Sequence, residues 1–181
     1  MDLLHFEGEP MYFDEPLNPE VERLLAHAAE HYGDSIAEHS LLRAYFLAPQ
    51  HLSVLVALYR YFYFRQRYRE ALVTADRAIA NVTTRLNLPA RWQDLSESHL
   101  GGAVLSSMSL TRFLLLALKG AGYLSLRLGE PAAALERFDK IVEIDTSDRL
   151  GIKELRALAQ RAVTEAEVSK VGGNLHFIGR H

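Results

Sequence analysis

The 181-residue sequence predicts an all-α fold of antiparallel helical hairpins stacked one on the next. One observation is an echo: Ala37 and Ala44 return thirty-four residues later as Ala71 and Ala78. A period of that size marks a stacked helical array, because a single hairpin cannot bury its apolar face alone. Another is punctuation. Capping residues, glycines and prolines recur at helical lengths with short gaps between, and short connections force neighbouring helices antiparallel. The last is apolar spacing of three and four residues within the segments so delimited.

The elements follow in order. Residues 1–17 are acidic, hold two prolines and read as an extended arm. Asn18-Pro19 starts the first helix, since Asn accepts from unpaired N–H groups and Pro fits the first turn; its stripe is Val21, Leu24, Leu25 and Ala28. Gly33 ends it, and Asp34 is placed to cap a second helix with the stripe Ile36, Leu41 or Leu42, and Tyr45, stopped by Pro49. A second hairpin is expected from Leu52 to Gln66 and from Tyr68 to about Leu86. The stretch 87–107 reads as an insertion with one short helix near Arg91 to His99 and a flexible joint at Gly101-Gly102. A long apolar segment then runs to Leu128, broken by Gly120 and Gly122. Gly129 closes it, Pro131 opens a helix through about Ile144, and Thr146 or Ser147 caps a last helix to about Val168. The helical domain thus covers 18–169, and 170–181 is a glycine-hinged tail.

At this length one domain buries roughly 70% of its unfolded surface. A formal charge of −3 gives no global pull toward nucleic acid or an anionic membrane. Zero cysteines exclude disulfides, thiolate zinc sites and thiol catalysis. The opening MDLLHFEGEPMYFDEP has no basic region and no continuous apolar core, so it is not read as a signal peptide. No run of about 18 apolar residues predicts a membrane span. Cytoplasmic residence is the expectation.

The stretch from Leu118, LKGAGYLSLRLGEPAAALERFDKIVEIDTSD, resembles a tetratricopeptide repeat. Gly122, Gly129, Ala134 and Phe138 match that family's small, turn, small and aromatic positions. In the same register Ala37 and Ala71 share one small position, Ala44 and Ala78 another, and Pro49 is terminal. The third copy is displaced by 29 residues, the insertion. Departures are Thr146 for the terminal Pro, Ile141 for the last Ala, Ala75 for the aromatic and Gln66 for the turn Gly. The resemblance implies a right-handed superhelix of seven or eight helices with a concave groove for a protein or peptide segment. The opening residues are also similar to small helical-repeat proteins encoded near bacterial nitrogen-fixation genes.

The segment Tyr59 to Arg69, YRYFYFRQRYR, packs six aromatics and four arginines into eleven residues. Such residues concentrate binding energy, because rigid rings bury area and guanidinium pairs with carboxylate at two points. Leu58, Tyr59 and Phe62 are expected in the core, and the arginines equally suit a solvated face. In the repeat register the groove-facing positions are Val56, Arg60, Tyr63 and Phe64 from the second copy and Lys119, Tyr123, Leu126 and Arg127 from the third. These are the candidate partner-binding residues, for a segment with acidic and apolar side chains. No cofactor, nucleic acid or membrane partner is expected.

His27-Ala28-Ala29-Glu30-His31 spells H-x-x-E-H, which places two imidazoles on one helix face as in inverted zincins. His27 and His31 are therefore the metal-site alternative, that of a metal-dependent hydrolase, against solvated histidines. Ser96, Glu97, Ser98 and His99 hold nucleophile and base types without the geometry of a triad. Trp92 is expected to pin the insertion. The acidic arm, with its interspersed aromatics, is complementary to the basic groove of its own chain or a neighbour's, so a homodimer or self-covered monomer is a further expectation. The reading is of a non-enzymatic adaptor or assembly factor; a structural homo-oligomer subunit is the other alternative.

Overall fold

A computed structural model describes residues 15–146 and 148–175, with side chains to Ser169. Eight α-helices, one 3-10 turn and no strand are present among the described residues. They are α1 (Pro19–Glu30), α2 (Ser35–Leu47), α3 (Leu52–Phe64), α4 (Tyr68–Arg85), the turn Trp92–Asp94, α5 (Glu97–Ser106), α6 (Met108–Arg127), α7 (Pro131–Ile144) and α8 (Lys153–Leu175). The acidic arm before Glu15 and residues 176–181 of the expected tail lie outside the described residues, while its residues 170–175, with the expected glycine hinge, continue α8.

The helices pack in chain order: α1 on α2, α2 on α3, α3 on α4, α4 on α6, α6 on α7 and α7 on α8. The inserted α5 lies against α6 and α7, and the 3-10 turn against α4. All of the recurring alanines are buried: Ala37, Ala44 and Ala71 are fully enclosed and Ala78 nearly so. Ala134, in α7, is also fully enclosed.

Two helix ends sixty-three residues apart close alike. After α3, Gln66 has φ 58° and the Arg67 N–H donates to the Phe62 carbonyl at 2.8 Å. After α6, Gly129 has φ 74° and the Glu130 N–H donates to the Ser125 carbonyl at 2.9 Å. Both are left-handed C-terminal caps. The close approach within the third hairpin needs glycine as well. A Cβ at Gly122 would lie 2.5 Å from Cε1 of Phe138, which is fully buried.

Local signals were met at Asn18, whose side chain accepts from the Glu20 N–H at 2.9 Å, and at Leu58, Tyr59 and Phe62, all buried. Others need correction. Asp34 stands at the N-cap of α2 without a side-chain capping bond. The buried stripe of α2 is Ala37, Ser40, Leu41 and Ala44, while Ile36 and Leu42 are exposed. The helix expected at Arg91 to His99 is a 3-10 turn followed by α5, and Gly101-Gly102 lie inside α5 rather than at a joint. α6 runs unbroken through Gly120 and Gly122. α8 starts only at Lys153, after a turn in which Asp148 accepts from the Ile152 N–H, and it continues past Val168 to Leu175.

Trp92 does pin the insertion. Its ring is covered by the Arg137 guanidinium, 5.0 Å from the centroid, which also forms a two-point pair with Asp76 at 2.9 and 3.3 Å. Lys140 donates to the Leu95 carbonyl at 2.9 Å, a second tie from α7.

Two substitutions test this packing. Gly122→Ala should cost about 1–3 kcal/mol, because Phe138 has nowhere to move; an unchanged urea midpoint would refute the close approach of α6 and α7. Gln66→Gly should stabilise by about 1 kcal/mol, by relieving a left-handed non-glycine residue, and the same urea titration measures it.

Candidate functional site

Contacts along the helices set their relative direction. Val56 and Tyr59 of α3 share a small apolar void of about 10 Å³ with Phe113, Ala117 and Gly120 of α6. One turn further along both helices, Tyr63 meets Tyr123 with ring centroids 6.4 Å apart. Contacts that ascend together mean that α3 and α6 run parallel. The same holds for α1 and α3: Leu25, Ala28 and Tyr32 rise alongside Ala57, Arg60 and Phe64, lining a groove of about 370 Å³. Parallel α1, α3 and α6 therefore form one face, with α2, α4 and α7 as their hairpin partners.

A belt of rings crosses this face at the C-terminal ends of the three helices. Tyr32, just beyond α1, lies edge-on to Phe64 at 6.1 Å. Phe64 meets Tyr63 at 5.7 Å, and Tyr63 meets Tyr68 at 6.1 Å and then Tyr123. Arg127 closes the belt. Its guanidinium donates to the Tyr68 hydroxyl at 2.5 Å and to the Tyr123 hydroxyl at 3.2 Å, and it lies 4.5 Å over the Tyr68 ring. No carboxylate among the described residues pairs with it. That sets it apart from Arg67, which holds Glu38 and Glu70, and from Arg69, which holds Glu130.

The eight candidate residues divide accordingly. Tyr63, Tyr123 and Arg127 come together in the belt. Arg60 and Phe64 line the α1–α3 groove beside it. Val56 faces the small void, and Leu126 is half-buried against the core. Lys119 turns elsewhere: its Nζ donates to the Leu150 carbonyl at 2.7 Å, and burial lowers its pKa, opposed by the charge of Asp148. Tyr68 and Tyr32 belong to the belt and were missed. Tyr68 had a signal, because a left-handed residue at Gln66 reverses the chain and returns Tyr68 to Tyr63.

The other motifs resolve into local bonds. Nδ1 of His27 lies 2.9 Å from the Ser40 hydroxyl, and Nδ1 of His31 donates to the His27 carbonyl at 2.9 Å. The two rings are 4.4 Å apart, and no group of three or more His, Asp or Glu that could hold a metal exists among the described residues. Ser96 and His99 form the capping box of α5, with Oγ 2.7 Å from Nδ1. No helix among the described residues is long and apolar enough to cross a membrane.

Fold and face together define a class: an all-helical protein of paired helices with a ring-lined surface flanked by arginine. The chain is 48% identical over 155 residues to an uncharacterized 19.8 kDa protein in the nifW 5′ region of Azotobacter chroococcum mcd 1. The match covers 86% of this chain and 86% of that protein, and the chain belongs to its family. That relative agrees with the likeness to proteins encoded near nitrogen-fixation genes. No family model and no solved structure matches the chain.

The belt has a pH signature. Burial first, then the Tyr123 and Tyr68 phenols, raises the Tyr63 pKa, with Arg127 pulling the other way. The folded chain therefore keeps a proton that the unfolded chain loses near pH ~10. Its stabilising contribution is whole below that value and is lost as pH rises through the raised folded pKa. Tyr63→Phe should flatten the fall in urea midpoint between about pH 9 and about 11; parallel profiles for both proteins would remove Tyr63 as the source.

Proposed function

We propose that this protein is a non-enzymatic adaptor or accessory factor, a tetratricopeptide-like right-handed superhelix that captures an extended protein segment on the α1–α3–α6 face. The observation that carries the reading is Arg127: a cation fixed by two phenols and balanced by no described carboxylate. A carboxylate on a partner segment would supply the missing charge in two-point fashion. The neighbouring rings and the α1–α3 groove would take apolar side chains. The belt is held by ring contacts before any partner arrives, so little ordering entropy is lost on capture.

Supporting the repeat assignment are the matched left-handed caps at Gln66 and Gly129, the buried alanines in register and the parallel run of equivalent helices. The relative's place beside nifW supports an accessory role in a bacterial cytoplasm, in the setting of nitrogen fixation. The histidine pair is read as structural, since among the described residues no third His, Asp or Glu is grouped with it to complete a metal site.

Charge reversal tests the face. Arg60→Glu with Arg127→Glu should abolish partner capture from the native organism, at least tenfold by quantitative mass spectrometry, with the helical circular dichroism unchanged. Capture at the wild-type level would remove this face as the binding surface.

A further inference from the structure

We infer that this protein pairs with a second copy of itself through the outer side of α2, as a two-fold dimer in which Phe46 of each chain enters a hollow on the other. The contact lies away from the α1–α3–α6 face and does not depend on the binding reading. α2 is apolar all round, the mark of a helix covered on more than one side. At about 100° per residue, Ile36, His39, Leu42, Arg43, Phe46 and Leu47 fall within one arc of about 140°. The buried Ala37, Ser40, Leu41 and Ala44 all lie outside that arc. Four large apolar side chains thus face away from the chain's own core: Phe46 is 88% exposed, and Ile36, Leu42 and Leu47 are each nearly half exposed. No other helix among the described residues exposes as many. A stack of hairpins ordinarily ends in helices with polar outer faces. α8 exposes mainly charged and small residues at one end, whereas α2 leaves the first hairpin open.

The hollow belongs to α2 alone. His39, Leu42, Arg43, Phe46 and Leu47 line a depression of about 400 Å³. The first four stand at i, i+3, i+4 and i+7, the spacing of a hole that receives one side chain from a facing helix. Its centre lies between Leu42 and Arg43, about one turn before Phe46. A parallel two-fold would set Phe46 against its own copy. An antiparallel crossing instead lets each ring reach the other chain's hollow. Residue i then meets j while j meets i, the condition for a closed contact.

Charge favours a second copy over a foreign chain. Arg43 already pairs with Glu20 of α1 at 3.2 Å, so the surface needs no acidic partner and two copies meet without uncompensated like charges. The adjoining α2–α4 groove differs. Arg77 lies over the Tyr45 ring at 5.4 Å and pairs with no carboxylate among the described residues. A two-fold centred there would set that charge against itself, which is unfavourable.

Area sets the strength. Phe46 offers on the order of 150 Å², and the four apolar side chains together on the order of 400 Å² per copy, the size of patch that marks an interaction site. With its polar rim the contact comes to roughly 1,000 Å² in total, the lower bound for a specific interface. The dimer is therefore reversible, with a dissociation constant on the order of 10 μM.

Sedimentation of the full chain tests this. The wild-type mass should rise from 20.4 kDa toward twice that value between about 1 and about 300 μM. Phe46→Lys should weaken association by about tenfold or more with the helical circular dichroism unchanged, because the ring lies outside the core. Arg77→Glu, in the neighbouring groove, should associate as the wild type does. The chain has no cysteine, so a nitroxide on Ser35→Cys gives one separation per dimer. That separation should be roughly 30 Å for the antiparallel crossing, against about 10 Å for a parallel one. A wild-type chain that stays monomeric throughout, as it would if this surface served a foreign partner, overturns the inference. So does association kept by Phe46→Lys, association lost in Arg77→Glu, or the short nitroxide separation.

Discussion

Two missing methyl groups in α6 set the geometry on which the face depends. Tyr59 Oη lies 3.1 Å from where a Cβ of Gly120 would be, and Phe138 occupies the space of a Gly122 Cβ. α6 can therefore take the Tyr59 ring of α3 over Gly120 and the Phe138 ring of α7 over Gly122. Gly120, Tyr123 and Arg127 lie on one helical stripe, three and seven residues apart. Seating Gly120 on Tyr59 thus carries Tyr123 onto Tyr63 and Arg127 onto Tyr68. Each glycine inside a helix costs about 1 kcal/mol relative to alanine, offset here by contacts that no larger residue would allow.

Those glycines also show where the sequence misleads. Read locally, Gly120 and Gly122 break an apolar segment; read with their neighbours, they are where helices touch. Tertiary packing overrides propensity, and the helix continues through both. The inserted Gly101-Gly102 pair also lies within a helix, α5, but both residues are exposed and a Cβ on either would meet nothing within 4 Å. In α2 the difficulty is different. Apolar residues surround that helix on all sides, with Phe46 88% exposed, so periodicity alone cannot choose the face. The recurring alanines chose it correctly, because a closely packed position tolerates little else.

Of the candidate site, the legible part was what register determines: that Arg60, Tyr63, Phe64, Tyr123 and Arg127 lie along the α1–α3–α6 side of the molecule. Contacts made across long loops were not legible. Lys119 occupies a groove register, yet Leu150, thirty-one residues later, supplies the carbonyl that draws it aside. Tyr32 follows α1 and carries no periodic signature, so its contact with Phe64 belongs to the tertiary structure alone. The aromatic-rich segment divides by burial, with Tyr59, Tyr61 and Phe62 in the core and Phe64 half exposed. Its arginines divide by partner.

The electrostatics of Arg127 explain why phenols suit this position better than a carboxylate would. A permanent acidic neighbour would neutralise the guanidinium and leave nothing for a partner, as happens to Arg67 and Arg69. Phenolic oxygens accept its hydrogen bonds and fix its plane while leaving the full charge. The C-terminus of α6 lies one residue on and contributes about half a negative charge, which steadies the cation without cancelling it. The Tyr68 ring beneath adds a cation–π contact. On the proposed reading, an incoming carboxylate would meet a donor already oriented, and rigidity at that point would make a surface ion pair of small intrinsic worth selective.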